Sequence, residues 1–375
     1  MKKKFEPLFK EFQFKNGVTL KNRVVMAPMT NYSSNEDGTV SKDELAYYAR
    51  RSTGAGMVIT ACTYVTENGM GFPGEFAGYD DKFIPSFKQL ADTIKGQGAK
   101  AILQIFHGGR ECPPNLVPNG EIVSASSVPS PNRSGQEPRA LHDDEINQIV
   151  KAFGDTTKRA IEAGFDGVEI HGANGYLIQQ FFSPHSNQRT DRWGGTLEKR
   201  MTFPLAVVDE VLKAAKSHAD ESFIVGYRFS PEEAETPGIT MKDTLALVDV
   251  LADRNLDYLH ISLQDFWSAP RRGVDNLEKT RLAYVLEQIA DRVPLIGVGS
   301  IYHPEDAIVA MNETNVPLLA LGRELLVDPD WVQKIAEGRE EEVVTKLDHE
   351  QQEKLVIPDP LWKVIMSVPR WVPGV

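Results

Sequence analysis

Residues 166–203, DGVEIHGANGYLIQQFFSPHSNQRTDRWGGTLEKRMTF, hold the densest chemistry in the chain. The apolar run 167–170 has the makings of a buried parallel strand, and it stops at His171. His171, Asn174 and Tyr176 follow at i, i+3 and i+5, so a tight turn at the strand end can aim an imidazole, an amide and a phenol into one cavity. All three can donate hydrogen bonds without carrying net charge. Taken alone, the spacing also suits a structural histidine and a packed tyrosine. From Ser183 through Asn187, Arg189, Asp191, Gly194 and Gly195 the residues are turn formers, giving a polar loop until about Thr196. Arg189 and Asp191 read as a local pair and not as catalytic groups.

These side chains need a scaffold, and the rest of the chain supplies one. Strand-like runs at 24–27, 57–63, 101–106, 167–170, 223–229, 258–261, 294–298 and 318–321 alternate with helical patterns. The helices are expected at 42–51, 83–97, 143–163, 197–216, 241–254, 278–291, 304–312 and 330–337. Ser41 and Glu44 have capping-box spacing at the first of them. Eight β-then-α units predict an α/β fold, a (β/α)8 TIM barrel of one domain over residues 1–375. An open doubly wound sheet is the competing topology, but no first-strand G-x-G-x-x-G turn is present. Residues 1–23 read as an N-terminal hairpin plugging the barrel bottom, with Asn16-Gly17 supplying positive φ. Residues 107–142, rich in Pro, Gly and Ser, read as a long lid loop after strand three. The C-terminal extension 340–375 ends in an apolar stretch that must pack on this barrel or on a neighbouring subunit, leaving a homodimer or larger homo-oligomer open.

In such a barrel the site lies at the C-terminal strand ends, and phosphates favour the loops after strands seven and eight. There the chain has Gly299 and Ser300, then Gly322 and Arg323. Glycine lets backbone N–H groups approach a phosphate closely, and arginine adds a charged fork. The same glycines also suit plain tight turns. A net charge of −12 argues against nucleic acid as a partner, and no apolar run reaches membrane-span length. Met1 and the lysines after it lack the apolar core of a signal peptide, so a cytoplasmic protein is expected. Only Cys62 and Cys112 are present, too few for a four-cysteine metal centre, and no metal site is expected. Cys62 reads as a core thiol, whereas Cys112 lies in a loop and is open to exposure.

The His-x-x-Asn-x-Tyr turn followed by S-P-x-x-N-x-R-x-D-x-x-G-G resembles the old yellow enzyme family of FMN-dependent ene-reductases and NAD(P)H:flavin oxidoreductases. The resemblance runs from about Leu8 to Arg323 and implies bound FMN, reduced by NADH or NADPH, with small molecules as substrates. It implies that Ala27, Pro28, Met29 and Thr30 contact the isoalloxazine, with the Thr30 hydroxyl near the C4 carbonyl. It also implies that Cys62 lies under the ring, that Gln104 meets the pyrimidine edge, and that Arg228 lies near N1 and the C2 carbonyl. Gly299, Ser300, Gly322 and Arg323 would then hold the phosphate. For Arg228, an ion pair with Glu169 is the alternative reading.

The implied reaction has two half-reactions at one site, hydride passing from the nicotinamide to FMN and then to an activated alkene, an α,β-unsaturated carbonyl or nitro compound. His171 and Asn174 would hold the substrate oxygen, Tyr176 would protonate the α-carbon, and Tyr32 would position the substrate. Two rival readings stay open. One is a flavin-free TIM-barrel enzyme acting on a phosphorylated substrate, and the other is a flavin-binding barrel without turnover.

Overall fold

The computed structural model describes residues 1–133 and 135–375. Eight strands form the central barrel: β1 (Val24–Met26), β2 (Met57–Tyr64), β3 (Lys100–Phe106), β4 (Gly167–Gly172), β5 (Ile224–Phe229), β6 (Tyr258–Ile261), β7 (Leu295–Val298) and β8 (Leu318–Leu321). Each pairs in parallel with the next, and β8 pairs with β1, so the ring closes. The strands are buried along almost their whole length because both faces are covered, by helices outside and by their own side chains inside. β4 runs beyond 167–170 and carries His171 into the ladder opposite Arg228 of β5.

The helices begin where the side chains can cap them. Ser41 Oγ accepts from Glu44 N–H at 3.2 Å while Glu44 Oε2 accepts from Ser41 N–H at 3.0 Å, the reciprocal pair expected for the helix Lys42–Arg51. The helix expected at 197–216 is instead Leu197–Arg200 followed by Thr202–His218. Pro204 has no N–H for the Arg200 carbonyl, so the ladder is interrupted at that turn. The helix expected at 278–291 is shortened to Arg281–Ile289 by the Thr280 cap and by left-handed Ala290.

Inside the barrel, Ile224, Tyr258, Met57 and Leu318 at the strand starts pack with Phe14, Val18 and Leu20 of the N-terminal segment. Phe12–Gln13 and Thr19–Leu20 form the expected hairpin and plug the N-terminal end of the barrel. In its turn only Gly17 has positive φ, because Asn16 contributes through its side chain, accepting from Val18 N–H at 3.0 Å. Gly226 is needed here, since a Cβ would stand 2.0 Å from the Tyr258 ring that crosses the interior.

The two long segments divide the work differently from expectation. Within 107–142, Val123–Ser124 pairs with Arg139–Ala140, and Arg110 N–H and Ser124 Oγ both bond Gln180 Oε1. Arg189 ties down the carbonyls of Ala125 and Leu141. The segment is thus fastened to the helix Leu177–Phe182, and none of its described residues lines the central cavity. A wall of that cavity comes from the C-terminal tail, which packs on its own barrel. Buried Arg51 donates to the carbonyls of Leu355 and Val356, and Arg323 Nη1 donates to the Trp371 carbonyl. Among the described residues no helix is long and apolar enough to cross a membrane.

Candidate active site

A cavity of about 840 Å³ opens at the C-terminal ends of the strands, within the size range of cofactor sites. Its lining includes Ala27, Pro28, Met29, Thr30 and Tyr32 after β1, Asn174 and Tyr176 after β4, and Arg228 on β5. Gly299 and Ser300 after β7 and Gly322 and Arg323 after β8 complete the far end. The residues singled out in five separate stretches of sequence therefore share one space.

Three others, Cys62, Gln104 and His171, are not among the residues that line the cavity. Cys62 donates to Glu75 Oε1 at 2.9 Å and lies 3.8 Å from Thr30 Oγ1. Gln104 Nε2 donates to Glu169 Oε1 at 2.7 Å. His171 packs its ring edge-on to Tyr176 at 5.0 Å and stacks on Phe106 at 6.0 Å. Cys112, open to exposure by its loop position, is fully buried, and its Sγ donates to the Asn68 carbonyl at 3.6 Å. His107 is buried, with Nδ1 accepting from Gly109 N–H, and burial lowers its pKa to about 3. Arg189 and Asp191 pair locally, as expected.

Protonation states follow from burial. Burial, with Arg228 adding repulsion, lowers the His171 pKa far below its ordinary value, so the imidazole is neutral. Its Nδ1 accepts from Ala173 N–H at 3.3 Å, which leaves the ring proton on Nε2 as a donor. Burial also raises the Tyr176 phenol well above its usual value, with Cys62 and Glu75 contributing, so it keeps its proton. Asn174 sits at φ 58, a left-handed conformation asparagine tolerates, and this turns its amide into the cavity mouth beside Ser262. Burial opposes the charge on Arg228 while Glu169 supports it, and its Nη2 donates to Ser262 Oγ at 3.2 Å. The feared ion pair is absent as a direct contact: Glu169 is bonded to His260 and Gln104 instead.

At the far end, Arg323 Nη2 donates to Ser300 Oγ at 2.6 Å and Ser300 Oγ donates to the Gln264 carbonyl at 2.5 Å. Gly299 has φ +145, and a Cβ there would lie 2.3 Å from Phe266 N, so only glycine lets the chain turn here. A hydroxyl and a guanidinium thus converge beside two strand ends.

A profile of the NADH:flavin oxidoreductase / NADH oxidase family matches residues 7–342. The chain belongs to this family, the old yellow enzymes. It is 56% identical over 373 residues to the probable NADH-dependent flavin oxidoreductase YqiG of Bacillus subtilis (strain 168), covering 100% of this chain and 99% of that one. It is 44% identical over 365 residues to the NADH:fumarate oxidoreductase of Klebsiella pneumoniae (strain 342), covering 96% of this chain and 39% of that protein. Among solved structures, morphinone reductase in complex with tetrahydroNAD is similar at a TM-score of 0.75 and 29% identity, over 88% of this chain and 91% of that one. The protein is an NAD(P)H-dependent flavin oxidoreductase with FMN as its cofactor. The flavin-free and turnover-free readings are set aside by this membership.

This old yellow enzyme has a donor set that fits FMN. The Ser300–Arg323 end matches a phosphate, and the buried Arg228 Nε has no partner among the described residues, leaving donor capacity at the other end. Several lining residues had no motif to announce them. Val364, Val368, Arg370 and Trp371 come from the tail, and Phe72 from the loop after β2. Ser262 could have been found by the rule that pointed to Arg228, since it is the polar residue ending the next strand.

Proposed function

We propose that this enzyme reduces carbon–carbon double bonds conjugated to a carbonyl or nitro group, using NADH or NADPH, in two half-reactions that share one cavity. Bound FMN supplies the hydride relay, taking two electrons from the nicotinamide and returning them to the alkene. The observation that carries this reading is the proton inventory beside the cavity: two uncharged donors, His171 Nε2 and Asn174 Nδ2, next to a phenol that keeps its proton.

His171 and Asn174 hold the substrate oxygen and stabilise the negative charge that grows on it as the β-carbon accepts hydride. Each such donor contributes about 3 kcal/mol to the transition state. A neutral imidazole suits this role, because the charge then arises on the substrate alone. Tyr176 gives its proton to the α-carbon, and Tyr32, edge-on to Phe72 at 5.7 Å, bounds the place where the alkene lies. Ala27, Pro28, Met29 and Thr30 hold the flavin ring, and Cys62 sets the depth beneath Thr30. Gln104 and Arg228 serve the pyrimidine edge. Gly299, Ser300, Gly322 and Arg323 take the phosphate. The relative named for fumarate supports an activated alkene as oxidant, although this chain spans only 39% of that protein.

The test is anaerobic. Oxidised-flavin absorbance is expected to bleach with NADH or NADPH and to return on adding 2-cyclohexenone. Bleaching without return for any enone or nitroalkene would leave a flavin oxidoreductase with a different electron acceptor.

A further inference from the structure

Glu169 and His260 form a buried polar pair that the proposed reaction does not use. Glu169 on β4 is fully buried, and its two oxygens are bonded to Gln104 Nε2 at 2.7 Å and His260 Nδ1 at 2.9 Å. His260, on β6, is equally buried, and its Nε2 has no partner among the described residues. Arg228 stands opposite His260 in the ladder between β5 and β6, and its one described side-chain hydrogen bond goes to Ser262.

The charges around this pair can be assigned. Burial works against ionising Glu169, but the hydrogen bond from His260, the charge of Arg228 and the hydrogen bond from the Gln104 amide outweigh it. Burial and Arg228 keep His260 neutral, so its Nδ1–H donates to the carboxylate without adding charge. One anion, Glu169, therefore faces one cation, Arg228, across two strands. A carboxylate only accepts hydrogen bonds, so the Gln104 amide must present its NH2 to Glu169 and its oxygen elsewhere.

We propose that Glu169, clamped by His260, is a positioning residue for the flavin: it fixes the Gln104 amide with its oxygen outward and offsets the charge of Arg228, holding the reduction potential of bound FMN down. The inference rests on Gln104 and Arg228 serving the pyrimidine edge. A lone buried guanidinium would favour the electron-rich reduced form strongly, because charges interact far more in a dry interior than in water. Glu169 tempers that preference, so the reduced cofactor still gives up its electrons readily.

Glu169→Gln keeps the shape and an oxygen for Gln104 while removing the charge. The readout is a redox titration of the holoprotein against a reference dye, with no alkene present, so the result is independent of which oxidant the enzyme uses. Binding of reduced over oxidised FMN is expected to rise tenfold or more, about 30 mV upward for a two-electron couple. His260→Gln, which keeps a neutral donor, is expected to change that ratio by less than threefold. An unchanged potential in Glu169→Gln would overturn the proposal, as would an equal shift in both variants. Failure of both variants to yield soluble holoprotein would also overturn it, by making the pair a folding element only.

Discussion

Ser262 Oγ donates to Asn174 Oδ1 at 2.9 Å, and Arg228 Nη2 donates to the same hydroxyl at 3.2 Å. A guanidinium has no acceptor, so the Ser262 proton can only point at Asn174. Ser230 Oγ approaches the same oxygen at 3.4 Å. The Asn174 carbonyl is thereby occupied, and its NH2 is the end left for a ligand.

This orientation makes Asn174→Asp more damaging than Asn174→Ala. Alanine removes one donor, and the alkene half-reaction is expected to slow about 100-fold. Aspartate puts a carboxylate where the substrate oxygen becomes negative and is expected to slow it by roughly a further tenfold. Single-turnover reoxidation of the reduced enzyme by 2-cyclohexenone measures both, and equal rates for the two variants would contradict the assigned orientation.

Tyr176→Phe removes the proton source while keeping the ring that packs on His171 and Phe106. The alkene half-reaction is expected to fall by roughly 10² to 10⁴, the range for loss of a general acid. Reduction by NADH, which needs no such proton, is expected to stay within a factor of three. Stopped-flow traces of the two half-reactions separate these outcomes.

Arg323→Ala tests the phosphate end. Losing one charged hydrogen-bonding group is expected to weaken FMN binding by about 1.5–3 kcal/mol, or roughly 10- to 150-fold. Riboflavin, which lacks the phosphate, is expected to bind the variant and the parent alike. Fluorescence titration of flavin-free protein with both ligands gives the comparison, and equal losses for the two would remove Arg323 from the phosphate site.

Glu324 is buried beside Arg323, neither carboxylate oxygen has a hydrogen-bond partner among the described residues, and burial with Asp328 nearby raises its pKa from 4.5 to about 10. The folded state thus holds a proton that the unfolded chain releases. Its contribution to stability is full below pH 4.5 and is lost as pH rises towards 10, at up to about 1.4 kcal/mol per pH unit. Glu324→Gln cannot titrate, so its stability relative to the parent is expected to increase steadily from pH 5 to pH 9. Urea unfolding of the flavin-free proteins across that range measures the gap, and a constant gap would contradict it.

Much of this was legible in the sequence because it is local. Apolar runs marked all eight strands, Ser41 and Glu44 marked a helix start, and the His171–Tyr176 spacing marked a turn that does open on the cavity. What was not legible depends on contacts between distant segments. Cys112 looked loop-borne, yet its burial depends on a carbonyl 44 residues earlier. Residues 107–142 have the composition of a lid, but Gln180 holds Ser124, and Arg189 holds Ala125 and Leu141, outside the cavity lining. The tail that supplies the wall has no motif, and its position is set by Arg51 and Arg323, far away in the chain. Glu75 and Glu324 were passed over because a glutamate in sequence reads as surface until its burial is known.

The pairing of β1 with β8 has a further consequence for how the enzyme comes into being. Residues 27–30 follow the first strand, Arg323 follows the last, and Trp371 lies 48 residues beyond Arg323. A chain emerging from the ribosome therefore has no half-built flavin pocket to offer. On the proposed placement of FMN, the cofactor can be captured only after the chain from Ala27 through Trp371 has been made, and its occupancy reports a closed barrel.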